Sequence, residues 1–336
     1  MDTVTSVGPL EVKSGACVRG SIDAGVARIP LVVYGGRQPG PTLYVQALQH
    51  GLELNGCEVM RRLLGSMVPG ELSGTLILVP MANPLAARVH MQSFPYPDRA
   101  LHRKINDMNR RWTPPFTGAN QVDSLVAALA PVVAQADAAM DLHCHEYLYP
   151  CMALSNFGFP GCRELALATG MEVIRSSEGQ EGMFGKYCRE VLSVRALTIE
   201  MPPLRYVDHR NAEKGYQSVI NVMRKLGMLP GLPDLPHRMA VYGGEESRSV
   251  NVKAEKEGFL ARYCTPGDFV KKGDCVAEIF SPDRFEVVQR IAAPFESTLM
   301  SLGRPPQNWG DPEQDFMNVG DSVALFTTPS EVIVHT

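Results

Sequence analysis

Between residues 40 and 227 short apolar runs alternate with stretches in which apolar residues return every three or four positions. That alternation predicts strands and helices in turn, the pattern of an α/β sheet. Residues 42–48 read as a strand and 55–67 as a helix with Val59, Leu63 and Met67 on one face. A second strand is predicted at 75–81, a helix at 123–136, and a strand at 138–142 that runs into Asp141-Leu142-His143. Further strands are expected at 150–155 and 196–201. The helix expected at 212–226 carries Tyr216, Val219, Ile220, Met223 and Leu226 on one stripe.

After residue 228 the texture changes. Leu229-Pro230-Gly231-Leu232-Pro233-Asp234-Leu235-Pro236 is a proline-rich linker, and helical periodicity is almost lost beyond it. Short apolar runs are instead punctuated by Gly267-Asp268, Gly273-Asp274 and Gly320-Asp321, a hint of an internal repeat. The expectation is a catalytic domain over 1–238, including the linker 229–238, and a small all-β barrel over 239–336.

Composition narrows the function classes. With 336 residues, 45% hydrophobic and 20% charged, the chain is that of an ordinary globular protein. A net charge of −4 and scattered basic residues give no reason to expect a nucleic-acid partner. No apolar run approaches the roughly 20 residues of a membrane span. The start Met1-Asp2-Thr3-Val4-Thr5 lacks the basic, apolar character of a signal peptide. Eight cysteines without a CxxC pair read as reduced thiols, so a cytoplasmic location is expected; a homo-oligomer is left open.

The candidate chemistry is metal-centred. His50-Gly51-Leu52-Glu53 follows the first clear strand, and residues three apart on a loop entering a helix can face one ion. His143 also follows a strand, and ligands in open α/β sheets gather beyond the carboxyl ends of strands. Imidazole and carboxylate both suit zinc, whose catalytic sites use three protein ligands. Spacing alone leaves open a surface His50 and a hydrogen-bonded His143. The same spacing recurs from His143 to Glu146.

Five short motifs, in order, carry a family resemblance. They are Gln49-His50-Gly51-Leu52-Glu53-Leu54-Asn55-Gly56 after the strand Gly40-Pro41-Thr42-Leu43, then Val79-Pro80-Met81-Ala82-Asn83-Pro84, Asp107-Met108-Asn109-Arg110, Asp141-Leu142-His143 and Leu197-Thr198-Ile199-Glu200. Over about residues 30 to 225 the chain resembles the succinylglutamate desuccinylase/aspartoacylase family, within the wider zinc-carboxypeptidase-like group. The resemblance implies a mixed sheet flanked by helices and one Zn2+ per chain held by His50, Glu53 and His143. It implies Glu200 as the general base, Asn109 and Arg110 as binders of a substrate carboxylate, and a second arginine that polarises the scissile carbonyl. Arg99 is the best match for that arginine, with Arg103 close by. The implied activity is hydrolysis of the amide bond in a small N-acylated amino acid bearing a carboxylate.

The chain also departs from the pattern. His145 stands where small or hydroxyl residues are common in the family, and is read as lining the substrate pocket or as a structural residue pointing away from it, with a metal-ligand role the lesser reading. Arg111-Trp112-Thr113-Pro114-Pro115 replaces the family's usual phrase after the asparagine–arginine pair. The C-terminal barrel resembles a biotinyl/lipoyl domain, yet residues 281–289, its expected carrier hairpin, contain no lysine. Other readings stand beside this one: a zinc carboxypeptidase acting on peptides, an amidohydrolase using His143-Cys144-His145, and a non-catalytic zinc-binding scaffold.

Overall fold

Apolar residues on both faces of the central strands place a large mixed sheet between two helical layers. This is seen in a computed structural model that describes residues 4–95, 105–243, 247–306 and 314–335. In chain order the strands are β1 (Val4–Val7), β2 (Leu10–Lys13), β3 (Ala16–Asp23), β4 (Arg28–Gly35), β5 (Gln38–Ala47), β6 (Ser73–Val79) and β7 (Ala138–His143). They continue as β8 (Met152–Ser155), β9 (Val173–Ser176), β10 (Arg195–Glu200), β11 (Arg238–Tyr242), β12 (Ser249–Lys253), β13 (Gly258–Arg262) and β14 (Phe269–Val270). The last six are β15 (Cys275–Ser281), β16 (Glu286–Ala292), β17 (Ser297–Leu302), β18 (Phe316–Met317), β19 (Ser322–Thr327) and β20 (Glu331–Val334).

The large sheet has the order β20-β11-β9-β8-β10-β7-β5-β6-β4-β3. Its centre, β10, β7, β5 and β6, is parallel. Along β5, Leu43, Val45 and Ala47 face one core with the helices Asn55–Ser66 and His209–Lys225, while Tyr44 faces a second core with the helices Gln121–Val133 and Phe184–Glu190. The expected central elements form, with ends moved by capping. Asn120 accepts from Asp123 N at 2.9 Å, and Asp208 accepts from Arg210 N and Asn211 N at 2.9 Å, so both long helices begin earlier than their apolar stripes. Strands β1 to β4 precede the stretch from which the α/β pattern was read.

Strands β12 to β19 form two four-stranded antiparallel sheets, β12-β19-β17-β14 and β16-β15-β13-β18, around Val276, Ile279, Leu299 and Phe326. The Gly-Asp phrases are one turn device used three times. Asp268, Asp274 and Asp321 each accept, at 2.8 Å, from the backbone N–H three residues earlier, on Thr265, Lys271 and Asn318. Two strands from 239–336 belong to the large sheet: β11 pairs with β9, and β20 with β11. The β-rich part also reaches the loop after His143, where Leu302 N donates to Leu148 O at 3.0 Å. Among the described residues no helix is long and apolar enough to cross a membrane.

Candidate functional site

Three neighbouring strands of the large sheet deliver the site at their carboxyl ends. His143 is the last residue of β7, Glu200 the last of β10, and the two are register partners. His50 lies three residues beyond β5, on the other side of β7. On β7 the side chains alternate: Met140 and Leu142 fill the first core, whereas Asp141 and His143 lie on the side of Ala139, which packs in the second.

The loop carrying His50 and Glu53, and the first turn of the helix that follows it, each need a glycine for space. A Cβ on Gly51 would lie 2.4 Å from the backbone of Ala86, and one on Gly56 would lie 2.8 Å from the Ala47 Cβ. Asn55 then ties this loop to the stretch after Glu200, its side-chain amide donating to Met201 O at 2.8 Å and Pro202 O at 3.0 Å.

His50, Glu53 and His143 converge, each offering a donor atom within 4.8 Å of the others, and all three are buried. Glu53 spans the two rings. Its Oε1 is 2.7 Å from His50 Nδ1, and its Oε2 is 2.8 Å from His143 Nδ1. The opposite ring nitrogens are each held by a further carboxylate: His50 Nε2 lies 3.0 Å from Asp107 and His143 Nε2 2.7 Å from Asp141. A carboxylate behind each imidazole is the usual support of a metal-ligating histidine. Gln92 Nε2 and Cys144 N donate to Glu53 at 2.8 and 3.2 Å.

The electrostatics agree. Burial alone would lower the pKa of His50, but Glu53 and Asp107 outweigh it and raise it to about 9. Burial likewise opposes the charge of His143, and Asp141 and Glu53 raise it well above the ordinary value. Glu53, despite burial, is held well below the usual carboxylate range by the two histidines. A cluster this rich in carboxylates favours positive charge, and two imidazoles with a carboxylate are a donor set that suits zinc.

Glu200 behaves differently. Burial raises its pKa above the ordinary value, held back by His145 and His143. Its Oε2 is buried with no hydrogen-bond partner among the described residues. His145 stands beside it, Nε2 lying 3.5 Å from Glu200 Oε1 and Nδ1 3.5 Å from Glu146. Glu200, His145, His143 and Asn109 line a cavity of 170 Å3. Asn109 sits in a single turn of 3-10 helix, Met108–Arg110, and its Oδ1 accepts from Phe184 N at 2.9 Å. Arg110 is half-buried, donates to Asn109 O at 2.6 Å, and is not among the described residues lining this cavity. Arg99 and Arg103 lie outside the described residues.

Two cations line the same cavity that the sequence reading did not single out: Lys186 and Arg189, three apart on the helix Phe184–Glu190. Arg189 is 5% exposed. It donates to Glu178 O at 2.6 Å, its Nε has no partner among the described residues, and burial lowers its pKa. The i, i+3 spacing of two cations ahead of Glu200 was the available signal.

A His–Glu–His cluster beside a buried carboxylate, at the carboxyl ends of a mixed sheet, fits a zinc-type hydrolase. The model of the succinylglutamate desuccinylase/aspartoacylase catalytic domain matches residues 39–226, and the chain belongs to that family, a family of deacylases. No curated protein matches it in sequence. Among solved structures it is similar to the product-bound ectoine utilization protein EutE (DoeB) from Ruegeria pomeroyi, at 20% identity and a TM-score of 0.70 over 97% of this chain and 98% of that one. It is similar also to a succinylglutamate desuccinylase from Silicibacter sp. TM1040, at 20% identity and 0.70 over 98% of each chain. An aspartoacylase family protein from Mesorhizobium loti aligns at 18% identity and 0.68 over 98% of this chain and 99% of that one. At such identities the likeness establishes the fold.

Proposed function

We propose that this protein is a zinc-dependent deacylase that hydrolyses the amide bond of a small N-acylated amino acid, with one Zn2+ per chain held by His50, Glu53 and His143. The observation that carries this reading is Glu200: a buried carboxylate with an unbonded oxygen, in register with ligand His143 and lining the same cavity. When bound, zinc supplies Lewis acidity, activating a water and polarising an acyl oxygen. Glu200 takes the proton from the attacking water and delivers it to the departing amine nitrogen. Its raised pKa suits a group that must hold that proton between the two steps. His145 lines the pocket and steadies Glu200. Asn109, with Oδ1 committed to Phe184 and Nδ2 3.4 Å from His143 Nε2, has an amide N–H left to donate to a substrate oxygen.

Two arginines compete for the substrate carboxylate. The family resemblance assigns it to Arg110, with Arg99 polarising the carbonyl, whereas the lining of the cavity favours Arg189, with Lys186 beside it. A carboxylate there would gain charge-assisted, fork-shaped bonds and relieve a buried guanidinium. Arg189→Gln keeps much of the side-chain volume. It is expected to lower kcat/KM for carboxylate-bearing substrates by roughly 10- to 150-fold, the equivalent of ~1.5–3 kcal/mol. Arg110→Ala should cost less. The reverse ranking would return the carboxylate to Arg110.

We read 239–336 as an appendage that shapes access to the cleft through the loop after His143 and supplies no metal ligand. A cavity of 170 Å3 favours short acyl groups over peptides. The eight unpaired thiols are in keeping with the cytoplasm. The test is an amine-release screen of zinc-loaded protein against N-succinyl- and N-acetyl-amino acids, alongside N-blocked peptides. Turnover confined to acyl amino acids is expected; cleavage of the peptides alone would make the protein a carboxypeptidase.

A further inference from the structure

The indole of Trp112 and the ring of His143 are joined by a chain of buried hydrogen bonds whose roles are set from one end. Trp112 Nε1 can only donate, and it donates to Gln49 Oε1 at 2.7 Å. That bond commits the carbonyl oxygen of Gln49 to the indole and turns its amide nitrogen toward Asp141, where it donates to Oδ2. A second amide comes from β5. Tyr44 Oη donates to Gln46 Oε1 at 2.8 Å, so the other end of Gln46 faces Asp141 and donates to Oδ1 at 3.1 Å. Asp141 therefore accepts on both oxygens and cannot turn without breaking an amide bond. His143 Nε2, 2.7 Å from Oδ2, meets an acceptor. In the neutral ring that would bind a metal the proton belongs on Nε2, which leaves Nδ1, on the Glu53 side, as the nitrogen free to act as a ligand.

We infer that Trp112 and Gln49 are positioning residues for the metal centre, fixing Asp141 and, through it, the orientation and proton-bearing nitrogen of His143. The inference rests on the metal-site reading above. Trp112 is 2% exposed, and Gln46, Gln49 and Asp141 are at most 1% exposed. Polar groups this deeply buried cost stability unless they are paired, and a fully paired network fixes one arrangement. Behind His50 the described partner is of another kind: Asp107 receives the backbone N–H of Asn109 at 2.9 Å. Trp112 is itself clamped. Phe184 meets it edge-on at 4.9 Å, Tyr187 lies at 5.5 Å, and its backbone N–H bonds Gly182 O at 3.0 Å. It stands in the stretch 111–115, where this chain departs from the family's phrase. The same indole packs on the helix that carries Lys186 and Arg189, which ties the substrate side of the cavity to the ligand side.

The test compares parent, Trp112→Phe, Gln49→Leu and the double variant. Metal-free protein is titrated with zinc against a competing chelator, and the visible spectrum of the Co2+-loaded form is recorded. Trp112→Phe keeps an aromatic ring against Phe184 and Tyr187 and removes the donor. Each single variant should bind zinc about tenfold more weakly, at the low end of the 10- to 100-fold typical of outer-shell changes. The double variant should be no weaker than the worse single one, because both break one chain. The Co2+ spectrum should shift in all three, while far-UV circular dichroism stays that of the parent. If Trp112→Phe does not fold, Gln49→Leu alone carries the test, since it cuts the chain without touching the aromatic cluster. A folded single variant with parental zinc affinity and Co2+ spectrum overturns the inference, and so do additive losses. Parent protein that binds no zinc would remove the metal-site reading itself, whereas parental binding matched by the variants removes only this inference.

Discussion

Glu200→Gln should give a folded, zinc-binding protein whose kcat is lower on the order of 10²–10⁴-fold. The loss should lie toward the upper end, because one side chain serves both proton transfers. The substitution preserves shape, and among the described residues Glu200 makes no hydrogen bond to His50, Glu53 or His143 for it to remove: its ionic neighbour there is His145, at 3.5 Å. What it removes is the proton acceptor. An amide can neither take a proton from the attacking water nor return one to the leaving nitrogen, so the change should fall on kcat and leave KM nearly untouched. Zinc content and thermal midpoint, measured on the same preparation, separate this from a structural role. A carboxylate that merely satisfied the end of β10 would shift stability and spare turnover per folded molecule. Zinc-loaded Glu200→Gln turning over within tenfold of the parent would end the assignment.

The His50–Glu53–His143 cluster and the carboxylate of Glu200 were legible in the sequence because they sit at or just beyond the ends of strands whose own pattern is clear. On β7 the alternation of Met140 and Leu142 against Asp141 and His143 places two polar side chains on one face of a buried strand. Buried polar side chains at a strand end ask for partners, and here they find Glu53, Gln46 and Gln49. The proline-rich linker and the Gly-Asp turns were readable for the same reason: both are local chemistry.

What escaped the sequence reading depends on contacts between distant segments. The helix Phe184–Glu190 is only seven residues long, and no periodicity over so short a span announces a helix or shows that Arg189 points into a cavity. Gln49 and Trp112 are 63 positions apart and read singly as ordinary core residues. The pairing of β11 and β20 within the large sheet is equally non-local, because β20 returns across the whole β-rich segment to reach its partner. Strand β3 is half exposed and interrupted by Arg19, Gly20 and Ser21, so its alternation is too weak to read alone.

Glu53→Gln should abolish stoichiometric zinc and bring activity to background, the largest effect expected of any substitution that conserves size. Glu53 offers one oxygen to each of His50 and His143, at 2.7 and 2.8 Å, and is fully buried. Glutamine can accept at one of those positions only; at the other its NH2 group meets a ring nitrogen that must itself act as a ligand. Part of the negative charge that outweighs burial at both histidines is lost with it, leaving Asp107 and Asp141. Gln92 and Cys144 N, both donors to Glu53, would then face an amide in place of a carboxylate. Outer-shell changes typically cost 10- to 100-fold in metal affinity, and loss of a ligand together with its charge should exceed that range. Zinc analysis after dialysis should therefore fall to roughly a tenth of an equivalent or less, given a parent affinity in the range usual for catalytic sites. Chelator competition gives the affinity directly, and thermal melts in excess chelator show whether the metal-free fold survives. A folded Glu53→Gln protein that kept one tightly held zinc per chain would mean that the ion sits elsewhere, and that His50, Glu53 and His143 are a buried hydrogen-bonded cluster instead.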